Sequence, residues 1–443
     1  VRIDGLASSG EGVGRLPDGR VVFVEGGVPG DLVEAAEWKE GPRMVRARIG
    51  RLIEVSPDRV EPPCSHFGVC GGCLWQQIAY PAQLAAKGRI VRDALERIGG
   101  LEIPGGDWGQ GQGESAVEIE GSSEPYGYRA RVRLVEAEGR LGFRRRGSRA
   151  IEAIDACPVL VPALEARRGE LAASMGTSSP SSSSSLPSSS PPSRPRRRVV
   201  EWVLLAGADG QVAGGPVGAG ETSRQQVELS VLGERLRASA TSFVQAHEGL
   251  RESLAARVVS EACLALGDAA EAHAPTRFAD LYAGIGFFTL PLARRGLAGM
   301  ALESDRAALA DLRANLEGAG LADRVEVLGG RVERRKDLAK RLARADVLIV
   351  DPPRTGLDRP VREAIAQAAP RRIVYVSCDP ATLARDLRFL VETGGYRLSD
   401  LRAFDLFPQT PHVETVVRLE RVEPETRTET ETRTGTGTES RSR

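Results

Sequence analysis

Apolar and polar positions alternate in two different rhythms along this 443-residue chain. From about Leu236 onward, continuous apolar runs alternate with helical stretches. Strands are predicted at Phe278–Leu281, Ala298–Glu303, Val325–Leu328, Asp346–Val350 and Arg372–Val376, and helical sequence occupies Glu248–Leu266 and the intervals between the strands. Strands buried on both faces and separated by helices read as an α/β sheet, with ligands at the C-terminal strand edge. Tyr396–Phe404 and His412–Leu419 are expected to close the sheet as a β-hairpin. The first half differs. Val21–Val24, Asp31–Ala35 and Met44–Ile49 are short strands punctuated by glycines, which suits a small β-barrel. A helix with an apolar stripe is predicted over Tyr80–Ile98 and a loop over Gly99–Gly121. Two-residue alternation at Ala130–Val135, Leu141–Phe143, Ala150–Ile154 and Val199–Leu205 predicts antiparallel strands.

This texture divides the chain into four parts: a β module at 1–54, a central β region at 55–235, an α/β region at 236–421 and a tail at 422–443. An almost pure Ser/Pro insertion at 176–198 interrupts the central region. It and the Glu/Thr/Arg-rich tail cannot bury apolar area and are expected to be disordered.

Hydrophobic residues make up 41% of the chain and charged residues 27%, as in a globular protein. Sixty basic residues balance 60 acidic ones, which argues against a polycation that coats nucleic acid, although local clusters matter more than the sum. Two basic clusters stand out, Arg140/Arg144/Arg145/Arg146/Arg149 and Arg331/Arg334/Arg335/Lys336/Lys340/Arg341/Arg344; solvated surface explains either as well as an RNA contact does. No apolar run approaches the ~18 residues of a membrane span and no apolar stretch follows Val1, so no membrane partner is expected. The six cysteines suit a reducing cytoplasm better than a disulfide framework.

Three pieces carry chemistry. In the first, Asp280-x3-Gly284-x-Gly286, glycines stand where a strand turns into a helix, and the next strand ends in Glu303, whose carboxylate can accept ribose hydroxyls. The missing third glycine of a dinucleotide fingerprint weakens a nicotinamide or flavin reading. The adenosine end of S-adenosylmethionine fits better; another nucleotide or a plain α/β turn are the alternatives.

The second piece is the pair of strand exits Asp351-Pro352-Pro353-Arg354 and Ser377-Cys378-Asp379-Pro380. Cys378 lies beside a helix N-terminus that favours thiolate, with a buried free thiol as the bland alternative. Beside a methyl donor, a thiolate could add to uracil C6 and make C5 nucleophilic; the C5 proton must then leave to a base. Glu414 is the candidate base, with His412 the alternative and a structural glutamate the bland one. The third piece is Cys64-x5-Cys70-x2-Cys73 with Cys157, four thiols able to hold zinc or a [4Fe–4S] cube, which spacing cannot separate.

Taken together, Cys64–Cys73, Tyr128-Arg129, Leu141-Gly142-Phe143, Cys157, Ser242-Phe243-Val244-Gln245, Asp280–Gly286, Asp351–Gly356, Ser377–Pro380 and Phe407–Glu414 closely resemble the RNA 5-methyluridine methyltransferases, the iron–sulfur 23S ribosomal RNA branch in particular. The resemblance implies an N-terminal TRAM domain of OB-like fold, a central antiparallel β iron–sulfur domain and a C-terminal Rossmann-like class I methyltransferase. It implies that Gln245, Asp280, Tyr282, Gly284, Glu303 and Asp351 hold S-adenosyl-L-methionine and that Cys64, Cys70, Cys73 and Cys157 ligate a [4Fe–4S] cluster. Cys378 would be the nucleophile and Glu414 the proton acceptor, acting on a flipped loop uridine in a monomer. Alternative readings are methylation of a transfer RNA uridine and a non-catalytic RNA-binding protein. The chain departs from the family pattern at Ala283, His247, Pro411 and Asp379, and Asp379 would disfavour the Cys378 thiolate by like-charge repulsion.

Overall fold

A computed structural model describes residues 1–41, 44–104, 117–176, 199–264 and 276–422. The Ser/Pro insertion beyond Gly176 and the tail beyond Val422, both expected to be disordered, lie outside those residues.

Strands β1 (Ile3–Leu6), β2 (Gly12–Arg15), β3 (Val21–Glu25), β4 (Leu32–Glu40) and β5 (Met44–Glu54) form one sheet in the order β1-β2-β3-β5-β4. Their alternation turns Ile3, Val22, Val24, Val33, Val45 and Ala47 into a common core, and Arg2 bridges Leu32, so the ladder runs back toward β1. Helix α1 (Tyr80–Ala94) carries a Pro in its first turn and ends in a π-helical turn at Leu95–Gly99, which splits the single predicted helix in two. The predicted loop after it contains a short strand, β6 (Ile119–Glu120), although 105–116 lies outside the described residues.

The central sheet has the order β11-β10-β7-β8-β9, all antiparallel, from β7 (Arg131–Ala137), β8 (Arg140–Arg144), β9 (Ile151–Ala153), β10 (Val199–Ala206) and β11 (Val212–Pro216). Helix α2 (Pro162–Gly176) packs Leu164 and Leu171 against its Val132, Leu134 and Leu204. A separate hairpin, β12 (Gln226–Val231) with β13 (Glu234–Ser239), straddles the boundary drawn at 235/236. Its Val227, Leu229 and Leu236 join the core of the α/β region.

That region runs α3 (Arg251–Cys263), β14 (Arg277–Leu281), α4 (Thr289–Arg294), β15 (Ala298–Glu303), α5 (Arg306–Gly318), β16 (Val325–Gly329), α6 (Leu338–Leu342), β17 (Val347–Val350), α7 (Arg359–Ala368), β18 (Arg372–Ser377), α8 (Pro380–Glu392), β19 (Tyr396–Phe404) and β20 (Glu414–Arg421). Its sheet has the order β16-β15-β14-β17-β18-β20-β19-β6. The first five strands are parallel, β20 is antiparallel to both neighbours, and β6 is contributed by the central region. Order reverses between β14 and β17, the crevice where open α/β sheets bind ligands.

The basic clusters are neutralised in part. Arg144, Arg145 and Arg146 pair with Glu201, Glu152 and Glu25; Arg331, Arg335 and Arg341 pair with Glu333, Asp337 and Glu326. Among the described residues, no helix is long and apolar enough to cross a membrane.

Candidate active site

The first strand exit is built by backbone strain. After β14, Tyr282 adopts φ +65° and Gly284 +57°, while the N–H groups of Tyr282 and Ala283 both reach Leu302 O, at 3.0 and 3.1 Å. At Gly286, φ +94°, the conformation itself calls for glycine, and a Cβ would also displace the tips of Leu290 and Leu312, 2.5 and 2.8 Å away. Glu303 holds this loop from behind: its Oε2 accepts from Gly284 N at 2.8 Å and its Oε1 from Ser304 N and Asp305 N at 2.6 Å. Asp280 is fully buried, accepting from Thr289 Oγ1 at 2.5 Å, and its Oδ1 has no partner among the described residues. Burial pushes its carboxyl up to about 7, against the Thr289 hydrogen bond and with help from Glu303.

A cavity of about 30 Å³ opens in front of this loop, lined by Phe243, Gln245, Tyr282, Gly284, Phe287 and Asp351 among others. Four of the six predicted donor-site residues therefore line one cavity; Asp280 and Glu303 are not among its lining residues and hold the loop that borders it. The buried Gln245 Oε1 has no partner among the described residues, so the site offers an unmet acceptor to a ligand donor.

The second and third exits meet beside it. Antiparallel pairing of β18 with β20 sets Ser377 opposite Thr415, which brings Cys378 and Glu414, one residue further on each strand, to the same edge. Burial pushes the Cys378 thiol up to about 12; Glu414 raises it further, Arg354 opposes, and Asp351 and Asp379 add smaller increments. Glu414, 2% exposed, is itself held well above the usual carboxylate range by burial and by Asp351, against Arg354. Burial and Asp280 raise Asp351 to about 7. Against the thiolate expected from the α8 N-terminus, then, stand desolvation and the surrounding carboxylates, with Arg354 on its side. Asp379 is the least of these influences because its carboxylate caps α8, accepting from Thr382 N at 2.9 Å. His412 is pushed down to about 4 by burial and Arg354, and packs edge-on to Phe407 at 6.0 Å, so it is neutral near pH 7.

The four predicted metal ligands line a second, separate cavity. Cys64, Cys70, Cys73 and Cys157 are free thiols that line one cavity of about 250 Å³ together with Phe67, Phe143 and Arg129. Burial raises the thiols of Cys73 to about 11 and Cys157 to about 12, and each sulfur repels the ionisation of its neighbours. They stand around the cavity wall and do not converge on a point: among the described residues no three His, Cys, Asp or Glu side chains form a group compact enough for a metal ion. His66 is fixed on that wall, its Nε2 accepting from Asp155 N at 3.2 Å and its Nδ1 3.2 Å from Glu152 Oε1.

Sequence reasoning missed Phe243 as a cavity-wall residue. It is 60% exposed, with the Arg131 guanidinium 6.0 Å from its ring centroid; both facts depend on the fold and have no signal in the sequence. Also missed was the segment 405–409, whose partners lie some 280 to 330 positions earlier in the chain.

A family model described as tRNA (Uracil-5-)-methyltransferase matches residues 237–422, and a TRAM domain model matches residues 1–36. An uncharacterized RNA methyltransferase of Gloeobacter violaceus is 37% identical, with 95% of this chain and 96% of the relative covered. A 23S rRNA (uracil(1939)-C(5))-methyltransferase RlmD of Azoarcus sp. is 34% identical over 95% of this chain and 99% of its own. Among solved structures, a Pyrococcus abyssi tRNA (uracil-54, C5)-methyltransferase in complex with S-adenosyl-L-homocysteine superposes with TM-score 0.66 at 23% identity, covering 95% of this chain and 99% of that one.

Proposed function

The chain belongs to the RNA (uracil-5-)-methyltransferase family, enzymes that use S-adenosylmethionine, and from that membership we propose that it methylates C5 of a uridine in 23S ribosomal RNA as a cytoplasmic monomer. The ribosomal target is supported by relatives of that printed activity, such as the one 34% identical over 99% of its length. The observation that carries the chemistry is the meeting of Cys378, Glu414 and Asp351 at one sheet edge.

Bound S-adenosylmethionine supplies an electrophilic methyl group. Gln245, Tyr282, Gly284 and Asp351 would hold it, with Glu303 and Asp280 bracing the loop. Cys378 gives up its proton to solvent water and adds as thiolate to uracil C6, which places electron density on C5 for attack on the methyl carbon as the S–CH3 bond breaks and its electron pair stays on the departing thioether sulfur. Arg354, the cation that opposes the raised pKa of both Cys378 and Glu414, favours the ionised forms. Glu414 then takes the C5 proton; the released electron pair restores the C5–C6 double bond and expels the Cys378 thiolate. C6 is out of reach in a stacked helix, so the target base must be flipped out.

Cys64, Cys70, Cys73 and Cys157 would hold a [4Fe–4S] cluster. Their all-sulfur donor set suits such a cluster, and all four line one cavity of about 250 Å³. The cluster would order the loop of residues 64–73 against the central sheet and present that face to RNA, as an OB-like N-terminal barrel would.

Mapping methylated nucleosides with and without the protein tests the target. Loss of one 5-methyluridine from large-subunit RNA is expected; loss confined to transfer RNA would move the target, and no loss in either would remove the assignment.

A further inference from the structure

We infer that Gln409 is a positioning residue for Glu414, through which the central region sets the timing of proton removal; this rests on the reading of Glu414 as the proton acceptor. Gln409 is 2% exposed and adopts φ +68°, a left-handed conformation that strains a non-glycine residue. Such strain persists only where the surroundings over-determine it. Here they do. Its backbone N–H donates to Gln83 Oε1 at 3.0 Å, and its side-chain Oε1 accepts from Gln83 Nε2 at 2.9 Å. Its carbonyl accepts from both Leu74 N and Trp75 N, at 2.9 and 3.0 Å.

The flanking residues are fastened from the same side. Asp405 pairs with Lys87 inside the protein, and Lys87 also donates to Phe407 O at 3.1 Å. Tyr128 Oη donates to Pro408 O at 3.0 Å. Residues 74–128 thus grip the segment that turns through Gln409 and enters β20 at Glu414, and the grip begins at Leu74, next to Cys73. Glycine would relax the strain at Gln409 and lose the side-chain tie. A glutamine here keeps both ends of the bridge, so the direction in which Glu414 is delivered is set from outside the α/β region. Removing the tie should slow proton removal more than thiol addition, because Cys378 hangs from β18 and not from this segment.

The experiment separates the two steps with Gln409→Asn, because asparagine tolerates the left-handed conformation but cannot span to Gln83, and with Gln83→Met as a variant on the other side of the tie. Covalent capture of 5-fluorouridine RNA reads addition and methyl transfer without proton removal; the lifetime of the adduct on ordinary uridine RNA reads elimination. In both variants the capture rate should stay within about threefold of the parent while adduct breakdown slows about tenfold or more. Equal slowing of both steps, or slowing of neither, overturns the inference. Glu414→Gln, run alongside, should accumulate the same adduct. If it does while the Gln409 and Gln83 variants do not, the positioning role alone falls; if it does not, the proton-acceptor reading falls and this role with it.

Discussion

The cleft around Cys378 and the cavity around Cys64, Cys70, Cys73 and Cys157 both bury thiols and push their ionisation upward, yet the opposition to charge has different sources. In the cleft, after burial, the neighbours that resist a thiolate are carboxylates, and Arg354 stands against them. In the cavity the sulfurs resist one another as well as their burial. A lone sulfur facing carboxylates and a cation can be switched by the arrival of a charged ligand. Mutually repelling sulfurs are relieved only by something that binds several at once. The first arrangement suits turnover and the second suits permanent occupancy.

The sharpest break in this comparison is Cys378→Ala, which should abolish both methylation and the covalent adduct with 5-fluorouridine RNA, measured by gel shift. Cys157→Ala should instead remove bound iron and sulfide, measured by colorimetric assay, while leaving an adduct detectable. Glu414→Gln should lower turnover about 10²- to 10⁴-fold, the span of general-base catalysis, and speed alkylation of Cys378 by iodoacetamide, because a raising carboxylate is gone. A cationic sulfonium beside Asp351, raised to about 7, should favour its ionised form, so binding releases a proton and affinity increases as pH rises through 7. Calorimetry between pH 6 and 8 should find about a tenfold gain at most, abolished in Asp351→Asn. The smallest effect belongs to Asp379→Asn: asparagine caps α8 equally well, and the rate should change less than about threefold.

Much of the cleft was legible because its parts sit at strand ends, where apolar runs stop at Leu281, Val350 and Ser377 and the next residues must face the edge. What the cavity holds was less legible, since Cys157 joins the other three only through folding. Roles within the cleft divided in the same way. Glu303 reads in sequence as a ribose ligand; the fold adds that three backbone N–H groups also engage its carboxylate, a bracing role with no sequence signal. The β12–β13 hairpin had a local signal, Val227/Leu229/Val231 against Leu236/Ala238 across a Leu232-Gly233 turn. The Lys87–Asp405 pair and the Gln83–Gln409 bridge had none, because a buried lysine or glutamine looks like a surface residue until its distant partner is known.

The eighth strand of the large sheet is borrowed. Ile119 and Glu120 pair with Ala403 and Phe404, and Asp405 N donates to Glu120 O at 2.9 Å, covering the outer end of β19. A fragment cut to residues 236–421 would leave those backbone groups unpaired on an open margin, the kind of surface on which separate chains join edge to edge and precipitate. Half of the β12–β13 hairpin would be missing from the same fragment. The catalytic region is therefore a tenant of the whole chain, and attempts to express it by itself should yield aggregates before they yield an enzyme.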